Sequence, residues 1–123
     1  MKGIKIMVKV VKQEYDNRGN VIYREWSNGL REKYEYDKNG NRIYYKNSHG
    51  FWKRYKHDDR GNQIYFVNRN GFWEKRKYDN RGHLIYLENS NGFWVKREYN
   101  DYGDETYYEN SDGYNTKQRV EFK

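Results

Sequence analysis

Three tryptophans recur at intervals of 21 residues, and each is followed two positions later by a cation. In an extended strand, residues two apart lie on the same side, so each tryptophan shares a side with its cation. Lysine and arginine neutralise phosphates or carboxylates, and exposed indole rings offer stacking surfaces to bases or sugars. The candidate binding residues are Trp52, Arg54, Lys56, Trp73, Lys75, Lys77, Trp94 and Lys96.

A structural interpretation of the same columns stays open. Glu25, Glu88 and Glu109 are expected cross-strand neighbours of the cations, and exposed ion pairs of this kind contribute little to stability. The tryptophans would then cover neighbouring side chains of the sheet instead of a ligand.

Catalytic and metal-binding chemistry is not indicated by the remaining residues. The chain has no cysteine, which excludes disulfides, thiolate zinc sites and a cysteine nucleophile. His49, His57 and His83 stand at different points of the repeat, and the Asp- and Asn-rich turns lack the closing glutamate of a calcium loop. Four serines in one column, Ser27, Ser48, Ser90 and Ser111, are expected to form turns. The sequence therefore predicts a protein that is not an enzyme and has no metal or cofactor.

An internal repeat of 21 residues positions these side chains. It runs through five units, from Tyr15 to Arg119. Its columns are Tyr23, Tyr44, Tyr65, Tyr86 and Tyr107, then Gly19, Gly40, Gly61, Gly82 and Gly103, and then Gly29, Gly50, Gly71, Gly92 and Gly113.

Each unit is predicted to form a β-hairpin. In the second unit a β-prone arm, "RIYYK", precedes the turn "NSHG", and a second arm, "FWKRYKH", precedes the turn "DDRGN". Asn, Asp and a closing Gly are the residues that tight hairpin turns need. The predicted fold is all-β, an antiparallel meander of five hairpin repeats in a twisted, curled, solenoid-like sheet. Ten strands follow an N-terminal cap strand, "IKIMVKVV".

The chain is predicted to be one repeat domain over residues 1–123. Residues 1–14 form the N-terminal cap, 15–98 the first four repeats, and 99–123 an acidic repeat that caps the C-terminal edge. The five-tyrosine column is expected to form a cross-strand ladder. The expected core columns are Ile43, Phe51, Ile64, Phe72, Ile85 and Phe93.

Composition agrees with a folded protein that has a thin, aromatic core. Apolar residues make up 34% of the chain and charged residues 35%, values that alone favour disorder, but aromatics reach 20% and proline is absent. The net charge of +7 favours polyanions or acidic protein surfaces as partners. The N-terminus lacks the continuous apolar segment of a signal peptide, and nothing approaches the roughly 18 apolar residues of a membrane span. A cytoplasmic location without membrane contact is therefore expected.

The stretch "YEYDKNGNRIYYKNSHG" resembles the YD repeat of the RHS family, whose units carry Tyr-Asp and two glycines at about this period. The resemblance covers Tyr15 to about residue 119 and rests on Tyr15-Asp16, Tyr36-Asp37 and Tyr78-Asp79, with both glycine series. His57 and Asn100 depart from the dipeptide. Large members of that family wind many repeats into a β-spiral shell around a cargo, which five repeats cannot do. The resemblance therefore implies the stacked-hairpin backbone and not encapsulation.

The chain is also similar to short Tyr- and Asn-rich repeat proteins of bacterial phages and mobile elements. This likeness implies a non-catalytic protein in the cytoplasm of a bacterial host, where it inhibits a defence complex in the manner of an anti-CRISPR protein. Its expected partner is a host protein or nucleoprotein complex whose nucleic-acid or substrate groove it occupies. Two alternatives stay open, namely direct DNA or RNA binding and glycan binding. A homodimer through an aromatic face is a further expectation.

Overall fold

Ten strands of six residues each build the part of the chain that the structure, a computed structural model, describes, residues 7–116. The strands are β1 (Val10–Tyr15), β2 (Val21–Trp26), β3 (Arg31–Tyr36), β4 (Arg42–Asn47), β5 (Trp52–His57), β6 (Gln63–Asn68), β7 (Trp73–Tyr78), β8 (Leu84–Asn89), β9 (Trp94–Tyr99) and β10 (Glu105–Asn110). They form one antiparallel sheet in chain order. Because β1 and β10 stand at opposite ends of this order, the sheet is not closed. The predicted antiparallel meander of hairpin repeats is confirmed.

The sequence repeat sets the positions of the strands. Each even-numbered strand begins 21 residues after the previous one, from Val21 in β2 to Glu105 in β10, and β3, β5, β7 and β9 follow the same interval. One repeat therefore supplies two strands and two turns. Equivalent side chains on successive repeats lie about 9.5 Å apart, which is twice the spacing between strands.

Asx residues and glycines shape every turn. Asp16 Oδ1 accepts hydrogen bonds from the backbone N–H groups of Arg18 and Asn20, each at 2.9 Å, and Gly19 takes a φ of 85°. That φ is accessible to glycine without steric cost, so the pair of residues fixes both the loop length and the return direction of the chain. At the other turn of the repeat, Asn47, Asn68 and Asn110 make the same two bonds, and Asn89 accepts from the backbone N–H two residues ahead.

The serine column does more than form turns. Ser90 N–H donates to the Trp73 carbonyl at 2.9 Å, and Ser90 Oγ accepts from Trp73 N–H at 3.1 Å. Each such serine thus ties the turn after one strand to the start of the preceding strand, which extends the pairing beyond the strand ends. The same two bonds occur at Ser27, Ser48 and Ser111.

The N-terminal cap strand begins later than predicted. The prediction placed it over "IKIMVKVV", whereas β1 begins at Val10 and ends at Tyr15; residues 1–6 lie outside the described part of the chain. The pairing explains the shift, because Val10 lies opposite Trp26, the last residue of β2. At the other end, Asn115 bridges to Glu109, and the rest of the predicted last arm, from residue 117 on, is also outside the described residues.

Internal contacts divide the chain into two units, Met1–Arg54 and Tyr55–Lys123, with the division inside β5. They are called the first and the second unit. The single domain predicted for residues 1–123 stays a prediction.

The isoleucine and phenylalanine columns do not form a buried core, so that prediction is wrong. Among the described residues, the buried apolar side chains are Tyr34 and Val95, with 6% and 7% of their surface exposed. The expected core residues are only half-buried, and they are Ile43, Phe51, Ile64, Phe72, Ile85 and Phe93. The cause is architectural: the described strands form one sheet, with no second sheet to cover either side.

Candidate functional site

Trp73 and Trp94 each lie against the cation two positions later in the same strand. The Nζ atom of Lys75 is 5.1 Å from the ring centroid of Trp73, and Lys96 Nζ is 5.1 Å from that of Trp94. The indoles are half-buried and the lysines are exposed. Strand alternation therefore places both pairs on one side of the second unit, as predicted, and the cations lie over the rings in cation–π geometry.

Two tyrosines complete this side of the sheet. Tyr65 lies directly opposite Lys75 in the β6–β7 register, and Lys56 Nζ is 5.7 Å from the Tyr65 ring centroid. The arrangement recurs one repeat later, where Tyr86 lies opposite Lys96 and Lys77 Nζ is 5.7 Å from the Tyr86 ring centroid. We call this surface the basic face of the second unit. Its residues are Lys56, Tyr65, Trp73, Lys75, Lys77, Tyr86, Trp94 and Lys96.

The tyrosine column contacts cations across the strands and does not form the expected ladder of stacked tyrosines. Among the residues described, the aromatic pairs that come together belong to other columns, as Tyr34 with Tyr45 at 5.3 Å and Tyr55 with Phe66 at 5.4 Å. Lys75 and Lys96, which are one repeat apart, therefore each have an indole on their own strand and a phenol opposite them on the preceding strand.

Carboxylates share the basic face but are directed toward tyrosine hydroxyls. Glu88 lies opposite Lys75, and Glu109 opposite Lys96. Glu109 accepts a hydrogen bond from Tyr107 at 2.8 Å, and this bond raises the pKa of the Tyr107 hydroxyl. Glu88 accepts a longer one, 3.4 Å, from Tyr86. The lysine ammonium groups lie over the indoles instead, so the ion-paired interpretation of the basic column does not describe Lys75 or Lys96.

The first unit carries the remaining two predicted residues, Trp52 and Arg54. Arg54 Cζ is 5.8 Å from the Trp52 ring and 4.7 Å from the ring of Tyr44, which lies opposite it. The eight predicted site residues are thus distributed over both units, with Lys56, Trp73, Lys75, Lys77, Trp94 and Lys96 together on the second.

On the opposite side of the first unit, a buried carboxylate lies among aromatic rings, which the sequence reasoning missed. Glu32 is 9% exposed and accepts hydrogen bonds from Trp26 Nε1 at 2.6 Å and from the Tyr45 hydroxyl at 2.5 Å. Burial works to raise the pKa of Glu32, but the donors Trp26, Tyr45 and Tyr34 together hold that pKa below its usual 4.5. Burial, with the nearby charge of Glu32, raises the pKa of Tyr34 to about 12.

Two arginines close the aromatic cluster around Glu32. The guanidinium carbon of Arg42 is 4.5 Å from the Tyr34 ring centroid, and that of Arg24 lies 5.7 Å from the Trp26 ring. The cluster therefore holds its own cations and stabilises the hairpins of the first unit. A sequence signal existed, because Trp26 is the tryptophan outside the 21-residue column and stands where later repeats have the turn asparagine.

His83 takes part in a turn of the fold. His83 Nδ1 lies 3.0 Å from Asp79 Oδ2, at a repeat position where asparagine makes the same contact elsewhere, and its ring stacks on Tyr99 at 4.6 Å. Within residues 7–116, no three His, Asp or Glu side chains cluster as metal ligands would. The same residues contain no helix that is long and apolar enough to cross a membrane.

The fold is similar to segments of much larger proteins. A chain of the crystal structure of TcdB2-TccC3-Cdc42 matches 94% of this chain with a TM-score of 0.71 and 18% sequence identity. A chain of the Photorhabdus luminescens Tc holotoxin pore matches 86% with a TM-score of 0.68 and 17% identity. The protein spans only 8% and 7% of those two chains. No protein-family model and no curated protein matches the sequence. At this identity the likeness shows the fold alone, which confirms a repeat-type β architecture.

Proposed function

We propose that this chain is a non-catalytic binding protein that holds a macromolecular partner on the basic face of its second unit. The observation that carries the proposal is the repeated pairing of Lys75 with Trp73 and of Lys96 with Trp94, at 5.1 Å each, on exposed lysines. Tryptophan and tyrosine are among the residues that dominate the binding energy of protein interfaces, and aromatic rings beside cations bind single-stranded nucleic acids. A flat, periodic surface also suits a large partner better than a small substrate.

We propose further that the chain belongs to the RHS/YD-type repeat proteins and inhibits a bacterial defence complex, of the kind that anti-CRISPR proteins inhibit, in the host cytoplasm. The repeat-type β fold, the Tyr-Asp turns and the net charge of +7 support this proposal. A basic surface is expected to bind an acidic groove or a groove that carries nucleic acid, and occupation of such a groove would block the complex without chemistry.

The test is capture of a partner from bacterial lysate at about 150 mM salt, with variants of matched charge. We expect Lys75→Ala with Lys96→Ala to reduce capture about tenfold, because two exposed interface cations that lose ring and partner contacts together cost about 1.4 kcal/mol. The control is Lys38→Ala with Lys53→Ala, which removes the same charge from a turn and from the other side of β5. Equal capture by both variants, or no capture by the wild type, would contradict the proposal.

A further inference from the structure

The basic face of the second unit contains a shallow depression of about 800 Å³, in which lysines surround an aromatic ring. Its lining includes three lysines, Arg76, the apolar residues Ile64 and Ile85, and Tyr65. The lysines are Lys56, Lys75 and Lys77. Lys56 Nζ is 5.7 Å from the Tyr65 ring, and Lys75 lies opposite Tyr65 in the register, so cations stand on both strands that flank this ring.

The electrostatic balance in this depression is strongly positive. Asp58 is the carboxylate in its lining, and that carboxylate is already engaged by its own turn. Asp58 accepts hydrogen bonds from the backbone N–H groups of Arg60 and Asn62, at 3.0 and 2.9 Å, and from the Asn62 side chain at 3.3 Å. The four cations of the lining, Lys56, Lys75, Arg76 and Lys77, still outnumber Asp58 and Glu88, which lies opposite Lys75, and this excess favours a ligand that brings anionic groups.

The pattern continues one repeat along the sheet. A second depression, of about 510 Å³, shares Lys77 and Ile85 with the first and is built around Tyr86 and Lys96. Its lining also includes Glu98, which makes it less positive than the first. The two tyrosines are about 9.5 Å apart by strand spacing. A ligand that fills both depressions is a chain with repeated anions and repeated flat, apolar groups.

We propose that these two depressions bind single-stranded nucleic acid, with phosphates between the lysines and bases against Tyr65 and Tyr86. The inference rests on the proposed function, since it names the partner's chemistry on the same face. A single strand fits better than a duplex because its bases are free to stack on aromatic rings. The residues of this face belong to strands β5 to β9, and none of them lies on a helix that could enter a groove of a duplex. Contacts to rings and phosphates do not depend on sequence, so binding without base preference is expected.

The salt dependence follows from the number of lysines. Four contacts, from Lys56, Lys75, Lys77 and Lys96, give a slope of log affinity against log salt of about −2.8 for a single strand, and hence about a 50-fold loss between 50 and 200 mM salt. Removal of two contacts by Lys75→Gln with Lys77→Gln lowers the slope to about −1.4 and the loss to about 7-fold. Tyr65→Leu keeps an apolar side chain but removes one stacking surface, and we expect about 5- to 100-fold weaker binding from it.

The experiment is fluorescence anisotropy with labelled oligo-dT, oligo-U, a duplex of equal length and poly-glutamate, on the full chain. The proposal predicts binding of oligo-dT or oligo-U, weaker binding of the duplex and of poly-glutamate, and the two variant effects above; the ratio of oligo-dT to oligo-U tells DNA from RNA. Lys38→Gln with Lys53→Gln is the charge control, and circular dichroism checks that each variant folds.

Three outcomes would overturn the proposal: no binding of either oligonucleotide at about 50 mM salt, equal binding of duplex or poly-glutamate, or an unchanged salt slope in a folded Lys75→Gln, Lys77→Gln variant. In each case, capture of a protein partner that still depends on Lys75 and Lys96 would leave the proposed function standing. Failure of both the oligonucleotide test and the capture test would also refute the proposed function.

Discussion

Replacement of Glu32 by glutamine should weaken the first unit by about 2 kcal/mol. The carboxylate accepts hydrogen bonds from Trp26 Nε1 at 2.6 Å and from the Tyr45 hydroxyl at 2.5 Å. Hydrogen bonds to a charged acceptor contribute about 1.5 to 3 kcal/mol, against about 0.5 to 1.5 kcal/mol for a neutral one, so two bonds lose about 2 kcal/mol together. Glutamine also places an NH₂ group where the surrounding groups are donors, which adds to the cost.

Urea unfolding followed by circular dichroism measures this loss. The matched control is Glu35→Gln, an exposed residue on the same strand, which should change the free energy of unfolding by less than about 0.5 kcal/mol. If the variants at positions 32 and 35 unfold at the same urea concentration, the buried carboxylate does not hold the cluster together and the reasoning is refuted.

The pH dependence of the same variant gives a second readout. The pKa of Glu32 is lowered in the folded protein from its usual 4.5, so its stabilising effect is fully present above pH 4.5 and is lost as pH falls below that value. Wild type should therefore lose stability on acidification that the Glu32→Gln variant, which has no carboxyl there, does not lose. Parallel pH profiles for the two proteins would contradict this cause.

Two further predictions concern a tyrosine and a glycine. The pKa of Tyr34 is raised from 10 to about 12, so the stabilisation that its protonated hydroxyl gives is present below pH 10 and is lost between pH 10 and 12. At pH 11 the wild type should have lost about 1 kcal/mol of unfolding free energy that a Tyr34→Phe variant does not lose, as measured by urea unfolding. Equal alkaline losses in the two proteins would refute this prediction. Gly40→Ala should lower the free energy of unfolding by about 1 to 2 kcal/mol, because a φ of 85° is unfavourable for a residue with a Cβ atom even though no atom lies within 4 Å of that position. Asn39→Ala in the same turn should lower it by less. Urea midpoints compare the two variants, and equal midpoints would contradict the strain argument.

The strands and turns could be predicted because their chemistry is local. Asp16 bonds the backbone two and four residues ahead, and Gly19 supplies the positive φ, so each turn is encoded within five residues and recurs with the repeat. Strand parity then places Lys75 on the side of Trp73, which the 5.1 Å separation confirms.

Other features depend on contacts between distant positions, and sequence spacing does not show them. The Glu32 cluster joins side chains from β2, β3 and β4, which only the strand register brings together. Ile64 and Phe72 are apolar residues that recur at the repeat interval, yet this recurrence does not reveal whether a second layer exists to bury them. The start of β1 at Val10 is set by the length of its partner β2 and not by the apolar residues that precede it.

The measurement that tests the central claim most directly is the capture of a partner by the wild type and by the two charge-matched double variants. Binding through the basic face predicts a retained partner for wild type and for Lys38→Ala with Lys53→Ala, and about a tenfold loss for Lys75→Ala with Lys96→Ala. Equal retention by all three proteins would show that the tryptophan column and its cations are structural and that the partner binds elsewhere.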